Sequence, residues 1–207
     1  MSYIEDNIIT DCRFCIPPDK DRIIYETDNF YIMLSLGAFV EGYLLINSKT
    51  HHDCCAAIDE RLAHEFDTLF HYTQNTLREV YGACLCYEHG RAGACLQFSE
   101  ANQHCYHAHM HCVPLSTQIS TDIDAVFTRT TLHSIEDLRE QYYLNPKPYL
   151  FVDDGQMSMY YINKPIRKQY LRHLASNGIG LQNEWNWLAH PNYENITRGK
   201  NKLKNYF

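Results

Sequence analysis

The sequence predicts a mixed fold of short β-strands and helices in which one long helix packs on a sheet. Two observations carry this prediction. In residues 107–113, three histidines alternate with apolar residues, and this period of two is typical of a strand with one buried face. Between Asp59 and Gly82, apolar residues recur at helical spacing, and these two residues suit the N-cap and the C-terminal stop of an amphipathic helix.

The composition limits the class of protein. A chain of 207 residues suits one domain, or one domain with an extension, and can bury a core without disulfides. The net charge of −7 lacks the strongly basic footprint of a duplex nucleic-acid binder. The nine cysteines are scattered, so we expect free thiols in a reducing compartment. Because neither a secretory signal nor a membrane-spanning apolar run is visible, we expect a cytoplasmic location and no membrane partner.

Short apolar runs between turn signals predict four further strands before the histidine run, at residues 23–25, 30–33, 43–46 and 84–88. The histidine strand ends this unit near Pro114. We therefore predict a first domain over residues 1–116 and a C-terminal extension over residues 117–207, packed on or near the active site.

The extension carries signals for both helix and strand, so we expect it to be an α/β element. Ser134-Ile135-Glu136-Asp137 resembles a capping box that opens a short helix, and residues 149–152 and 157–161 predict a hairpin. Pro165 suits the first turn of a further helix that ends at Gly178. Basic residues along that helix favour a solvated face, and the alternative is that one arginine reaches a ligand phosphate.

The histidine run carries the chemistry. In an extended strand His107, His109 and His111 line one face, and imidazole is both a nucleophile and a metal ligand. A metal centre made from all three is disfavoured, because alternate side chains on a flat strand start about 6–7 Å apart and converge poorly. The better arrangement places an outer histidine on a metal and leaves the middle one free to attack phosphorus, its second nitrogen held by a backbone carbonyl. His111 would then protonate the leaving group.

A second pattern predicts a metal site. Cys12 and Cys15 have the spacing of a metal-ligand pair. With His51, which follows a predicted strand, and with His107, they would complete a closed Cys₂His₂ site. Such a site is structural because it leaves no coordination position open for water. The expected cofactor is therefore a structural zinc ion.

These segments resemble the histidine triad superfamily of nucleotide hydrolases and transferases. Residues 107–113 match the family motif His-φ-His-φ-His-φ-φ, in which φ is apolar. Residues 42–51 are similar to the family's Gly-His-x-Leu-Val-Ile-Pro-Lys-x-His segment, and the two N-terminal cysteines resemble the pair of its zinc-bearing members. The resemblance implies an α+β fold in which one main helix packs on an antiparallel sheet, and it commonly implies a homodimer.

The resemblance also implies roles for single residues. His109 would be the nucleophile that forms a nucleotidyl-imidazole, and His111 would contact the phosphate or the leaving group. The zinc ligands would be the four residues of the Cys₂His₂ site. Gln103 stands where the family has a substrate-contacting glutamine, and Ser35 stands near the place of an aspartate that contacts the ribose.

Two further substrate contacts are predicted outside the motif. His89 lies in Tyr87-Glu88-His89-Gly90, which resembles a segment in a bacterial branch of the superfamily. In the extension, Gln169 or Arg172 is expected to reach the active site, and the alternative is a helix that only packs.

The leading functional hypothesis is cleavage of a phosphoanhydride or phosphoramidate bond in a nucleoside phosphate, the expected small-molecule partner. Dinucleoside polyphosphates are candidate substrates, and the acceptor is water or phosphate. The runner-up is a non-catalytic, nucleotide-binding regulatory module. Further alternatives are a zinc hydrolase that uses the triad as its metal site, and an enzyme that processes the ends of nucleic acids.

Overall fold

The computed structural model describes residues 8–92 and 106–207. Within these ranges the chain forms one antiparallel sheet of eight strands in the order β1-β2-β3-β5-β4-β7-β8-β6. The strands are β1 (Ile23–Glu26), β2 (Phe30–Leu34), β3 (Leu44–Ser48), β4 (Leu85–Gly90), β5 (His109–Val113), β6 (Arg129–Thr131), β7 (Tyr149–Asp153) and β8 (Met157–Tyr161). The helices are α1 (Glu60–Tyr81), α2 (Ser120–Asp124), α3 (Ile135–Leu144), α4 (Tyr170–Gly178) and α5 (Tyr193–Leu203). The predicted α+β fold is therefore confirmed.

The main helix, α1, forms where the sequence predicts it. The Asp59 carboxylate caps the first turn by accepting a hydrogen bond from the Arg61 N–H at 2.9 Å. Gly82 ends the helix with φ of 85°, a left-handed conformation that glycine adopts without strain. The apolar stripe of the helix is buried, and His64 and His71 are exposed on its other face, as predicted. Of the helices in the described residues, none has the combined length and apolarity needed to cross a membrane.

The strands of the C-terminal region continue the same sheet. β7 pairs with β4 along its length, ending where Gly90 lies opposite Tyr149. The Tyr149 ring lies across Gly90, where an added Cβ would be 2.1 Å from it. The Tyr149 hydroxyl donates to Glu88 Oε2 at 2.5 Å, so residues from both predicted regions share one core. The division of the chain at residue 116 stays a prediction.

The sheet has a helix on each face. Gln74 of α1 donates to Cys86 Sγ at 3.5 Å. His89 lies three residues further along β4, so its side chain projects from the opposite face. There its ring accepts a hydrogen bond from the Leu171 N–H of α4 at 3.1 Å. Hence α1 and α4 cover opposite faces of the sheet.

Two of the predicted local structures in the extension are confirmed. The Ser134 hydroxyl accepts a hydrogen bond from the Asp137 N–H at 3.4 Å, and the Asp137 carboxylate accepts one from the Ser134 N–H at 3.2 Å. This reciprocal pair is the predicted capping box, and it begins α3. β7 and β8 form the predicted hairpin.

Two predicted element starts differ from the structure by more than one residue. The helix expected from Pro165 begins only at Tyr170, because Gln169 has a left-handed φ of 53° that separates the preceding residues from the helix. It ends at Gly178, as predicted. The histidine strand begins at His109 instead of His107, because the Ala108 N–H donates to a loop carbonyl, that of His52, at 2.6 Å.

No pattern recognised in the sequence predicted α5. Its buried residues, Ile196, Gly199 and Leu203, have helical spacing. The central one is a glycine, which has no side chain, so the sequence shows no continuous apolar stripe. An added Cβ on Gly199 would lie 2.9 Å from the backbone nitrogen of Gly42. A close approach of backbone to backbone therefore explains a residue that weakens the helix signal.

Candidate functional site

The strand register brings polar side chains together on the face of the sheet that α4 covers. His109 lies opposite Asn47 in the β3–β5 ladder, and His111 lies opposite Tyr87 in the β4–β5 ladder. Directly opposed residues of an antiparallel pair project from the same face. We call the surface formed by these four residues the histidine face.

The four predicted metal ligands form a compact cluster. The ligand atoms of Cys12, Cys15, His51 and His107 all lie within 4.8 Å of one another. The two Nδ1 atoms are 3.4 Å apart, and three sulfur–nitrogen distances are 3.5, 3.6 and 3.7 Å. A tetrahedral zinc ion needs about 3.4 Å between two nitrogens and about 3.6 Å between nitrogen and sulfur, given its bond lengths. The donor set and its spacing therefore fit a four-coordinate metal ion.

His107 is held in the orientation that a metal ligand needs. Its Nε2 lies 2.9 Å from the Ser48 carbonyl oxygen, which accepts a hydrogen bond from it. Nδ1 is thus left to face the cluster, and the outer hydrogen bond fixes the ring. Burial lowers the pKa of His107 to about 3, so the ring is neutral, which is the form that binds a cation.

His109 has a different set of partners and is not part of the Cys₂His₂ cluster. Its Nδ1 lies 2.7 Å from the carbonyl oxygen of His107, so Nδ1–H donates and the lone pair remains on Nε2. The ring of Phe14 stacks on the imidazole with centroids 4.8 Å apart and planes 18° apart. Burial lowers the pKa of His109, which favours the neutral ring. The predicted contact to a backbone carbonyl is therefore present, and Nε2 has the form of a nucleophile.

His111 belongs to a chain of buried hydroxyl groups. Its Nδ1 lies 2.8 Å from the Tyr43 hydroxyl, which lies 2.5 Å from the hydroxyl of Tyr87. The Tyr87 ring also stacks on the imidazole, with centroids 4.7 Å apart. Burial lowers the pKa of His111 and raises the pKa of both tyrosines, so all three groups are neutral at physiological pH.

Arg172 extends from α4 toward the hydrogen-bonded chain of His111, Tyr43 and Tyr87. Its guanidinium carbon lies 5.0 Å from the centroid of the Tyr43 ring, a cation–π distance. The guanidinium donates to the carbonyl oxygens of Gly37 at 2.6 Å and Trp185 at 2.9 Å. It is only 4% exposed, so the solvated face predicted for the basic residues of this helix is wrong for Arg172.

The remaining predicted substrate-contacting residues are His89, Ser35 and Gln103. His89 is half-buried, and its Nε2 accepts from the Leu171 N–H. Chiefly because of desolvation, its pKa is lowered to about 3. Ser35 is buried, and its hydroxyl donates to the Leu36 carbonyl oxygen at 3.2 Å. Gln103 lies outside the described residues.

Several residues around the histidines were missed by sequence reasoning. Phe14 had a usable signal, because it lies between the two cysteines of a predicted metal site. Tyr43, Tyr87 and Asn47 had none, since only the pairing of distant strands reveals their neighbours. Within the described part of the chain, the buried Oδ1 of Asn47 has no hydrogen-bond partner.

Comparisons with known proteins give one family and several distant structures. A family model described as "Protein similar to CwfJ C-terminal" matches residues 3–128. Similar solved structures include a hypothetical histidine triad nucleotide-binding protein from Sulfolobus tokodaii, with 19% identity, a TM-score of 0.38 and coverage of 50% of this chain and 68% of that chain. A Hit-like protein involved in cell-cycle regulation from Bartonella henselae has 18% identity, a TM-score of 0.36 and coverage of 55% and 82%. A protein from Streptococcus mutans has 18% identity, a TM-score of 0.42 and coverage of 70% and 88%. No curated protein matches the chain.

Proposed function

The chain belongs to the family of proteins similar to the CwfJ C-terminal region, and for this member we propose an enzyme that cleaves a phosphoanhydride or phosphoramidate bond of a nucleoside phosphate. The observation that carries the proposal is the state of His109. Its Nδ1–H is engaged with the His107 carbonyl at 2.7 Å, and this contact leaves Nε2 with the lone pair that an attack on phosphorus requires.

The proposed reaction with an anhydride has two displacements. In the first, Nε2 of His109 forms a bond to phosphorus, and the bond to the bridging oxygen breaks with its electron pair on the leaving phosphate. In the second, water or phosphate attacks the nucleotidyl-histidine, and the phosphorus–nitrogen bond breaks with its pair returned to Nε2. With water as the acceptor, its oxygen forms the new bond to phosphorus, and its two protons pass to solvent or to the product phosphate. Splitting one difficult step into two is the advantage of the covalent route.

His111 is proposed to act on the leaving group. If Tyr87 donates to Tyr43 and Tyr43 donates to His111 Nδ1, the proton of this neutral ring sits on Nε2. An Nε2–H in this position donates a hydrogen bond to the departing oxygen, or to the departing nitrogen of a phosphoramidate, and that nitrogen takes its proton from solvent.

We propose substrate-binding roles for Gln103, Ser35, His89 and Arg172. Arg172 supports this proposal best, because its buried guanidinium donates to two neutral carbonyl groups and lies over the Tyr43 ring, and its positive charge would favour a phosphate anion nearby. Because Nε2 of His89 already accepts a hydrogen bond from the Leu171 N–H, we propose that the ring contacts the substrate through Nδ1.

The experiment that tests the proposed function uses a panel of dinucleoside polyphosphates and nucleoside phosphoramidates, with product detection and quenched-flow mass spectrometry. We expect a nucleoside monophosphate adduct on the peptide that contains His109. The variant His109→Asn should lose turnover by about a thousandfold or more while it still binds nucleotide. His71→Asn, an exposed histidine on α1, is the matched control and should behave as wild type.

Two outcomes would contradict this proposal. Undiminished turnover in His109→Asn would remove the nucleophile from the mechanism. Nucleotide binding by the wild type without any product would favour the alternative, a regulatory nucleotide-binding module.

The metal is proposed to be a structural zinc ion held by Cys12, Cys15, His51 and His107. When bound, it would supply a rigid cross-link and no catalytic water, because four protein ligands fill a tetrahedral site. Elemental analysis should find about one zinc per chain in the wild type and none in Cys12→Ser. The control is His52→Asn, whose ring bonds Thr50 at 3.1 Å and lies outside the cluster. Full metal retention in Cys12→Ser would favour a metal on the histidine triad.

The proposal also includes a homodimer and the cytoplasmic location expected from the sequence. Light scattering coupled to gel filtration tests the first, and a mass of one chain at all concentrations would contradict it. Cell fractionation tests the second.

A further inference from the structure

Beside its edge contact with the His111 ring, the His109 ring has two contacts that come from the segments of the Cys₂His₂ cluster. One is the hydrogen bond from Nδ1–H to the backbone carbonyl of His107, whose own Nδ1 faces the metal cluster. The other is the stack of Phe14 on the imidazole. Phe14 lies between Cys12 and Cys15, and the sulfur atoms of both cysteines belong to the cluster.

The Phe14 ring stacks on two of the three histidines. It stacks on His109 at 4.8 Å and on His107 at 5.4 Å, with planes 18° and 30° apart. The Tyr31 hydroxyl donates to the Phe14 carbonyl oxygen at 2.6 Å and fixes the backbone of the loop. The adjacent Arg13 instead packs outward, over the Trp187 ring at 5.1 Å. The loop therefore aims one of its two central side chains at the ring of His109.

We propose that Phe14 is a positioning residue that holds the imidazole of His109 in the plane required for attack, and that metal binding at Cys12 and Cys15 fixes Phe14 in this place. The expected effect on kcat rests on the proposed function. The effect on the orientation of the His109 ring can be measured without turnover. A stacked aromatic ring restricts rotation of the imidazole about its side-chain bonds. Rotation would break the Nδ1–H bond to the His107 carbonyl, and the tautomer with the lone pair on Nε2 would no longer be selected.

The experiment compares wild type with Phe14→Ala, Phe14→Leu and Phe14→Tyr. The first readout is the metal content of each protein. The second is the tautomer of His109, read from nitrogen chemical shifts after histidine labelling. The third is the division of any activity loss between kcat and KM. Arg13→Ala is the matched control, because it changes the same loop without touching His109.

We expect every Phe14 variant to keep its metal. Phe14→Ala and Phe14→Leu should show a mixture of His109 tautomers and a kcat lowered by about 10- to 100-fold, since small displacements of a reacting group have effects of this size. KM should change little, because the substrate contacts are intact. Phe14→Tyr retains a stacking ring and should restore both readouts.

A wild-type tautomer in both Phe14→Ala and Phe14→Leu would overturn the proposal. Loss of metal from both would also overturn it, because Phe14 would then support the metal site and not His109. Absence of turnover in wild type, with a changed tautomer in the variants, would remove the proposed function and leave the positioning role. Normal turnover in wild type and in the Phe14 variants, together with an unchanged His109 tautomer, would remove the positioning role and leave the proposed function.

Discussion

The three histidines of residues 107–111 have identical side chains, and their partners give them different chemistry. His107 directs Nε2 to the Ser48 carbonyl, and its Nδ1 faces the other residues of the Cys₂His₂ cluster. His109 directs Nδ1 to a carbonyl and keeps its Nε2 lone pair. His111 takes the Tyr43 hydroxyl at Nδ1. The nitrogen that each ring engages therefore decides which nitrogen is available for other work.

The hydroxyl of Tyr43 should matter for rate and not for binding. Tyr43→Phe keeps the ring under Arg172 but removes the hydrogen bond to His111. We expect kcat to fall by about 2- to 10-fold, the value of one neutral hydrogen bond, with KM nearly unchanged. Steady-state kinetics checks this. The control is Tyr72→Phe, whose hydroxyl bonds the Tyr206 carbonyl away from the histidine face, and an equal loss in both variants would contradict the assignment.

His89 should make the protein sensitive to acid. Burial lowers its pKa from 6.5 to about 3, so between these values the unfolded chain binds a proton that the native state does not. The contribution of the neutral His89 ring to the free energy of unfolding is therefore fully present above about pH 6.5. It is lost as the pH falls, by up to about 2 kcal/mol at pH 5. His89→Gln keeps an acceptor for the Leu171 N–H and does not titrate. Denaturant unfolding at pH 7 and pH 5 should show a smaller loss in His89→Gln, and an equal loss would contradict the prediction.

At the scale of elements, α1 and α3 are joined by a buried ion pair. Arg139 of α3 donates to both carboxylate oxygens of Asp67 on α1, at 2.7 and 2.5 Å. The side chains of both partners are 9% exposed. A pair of this kind contributes little net stability, but removal of one charge leaves the other without compensation.

Asp67→Asn should therefore be strongly destabilising. We expect the free energy of unfolding to fall by about 3 kcal/mol, because the buried Arg139 guanidinium loses the carboxylate that accepts both of its hydrogen bonds, and the charge of the exposed Glu136 nearby does not replace it. Denaturant titration measures this change. Glu194→Gln breaks an exposed pair with Arg198 and should cost less than about 1 kcal/mol. Similar losses in the two variants would mean that burial of the Asp67 pair has no special effect.

At the scale of the whole molecule, one sheet connects the two predicted regions. The edge of β4 that does not pair with β5 pairs with β7. Glu88 accepts from Tyr149 of β7, and His89 accepts from Leu171 of α4. Polar groups in the first region are thus satisfied by the second, which argues that the two regions fold together.

A fragment of residues 1–116 should therefore not fold as the full chain does. It would expose the β4 edge and leave the buried Glu88 without the Tyr149 hydroxyl. We expect aggregation in gel filtration and poorly dispersed amide resonances, with the full chain as the reference. A monodisperse, well-dispersed fragment would contradict this expectation and would support the predicted domain boundary.

Local patterns predicted the parts of the molecule whose structure depends on neighbours in sequence. The cap at Asp59 and the stop at Gly82 determine α1 through their own backbone and side-chain chemistry. The capping box at Ser134 acts over three residues. The start of α4 was mispredicted because the left-handed conformation of Gln169 has no strong signature in that residue type.

The sequence by itself determined which donor atoms are available to the site, because the alternation in residues 107–111 and the two-residue gap between Cys12 and Cys15 are local patterns of imidazole and thiol groups. Only the tertiary structure decided the partners of those atoms. It places Tyr43 beside His111 and Phe14 on His109, across separations of 68 and 95 residues along the chain. Such contacts depend on strand register and on the path of loops, and these are set by the packing of the whole sheet.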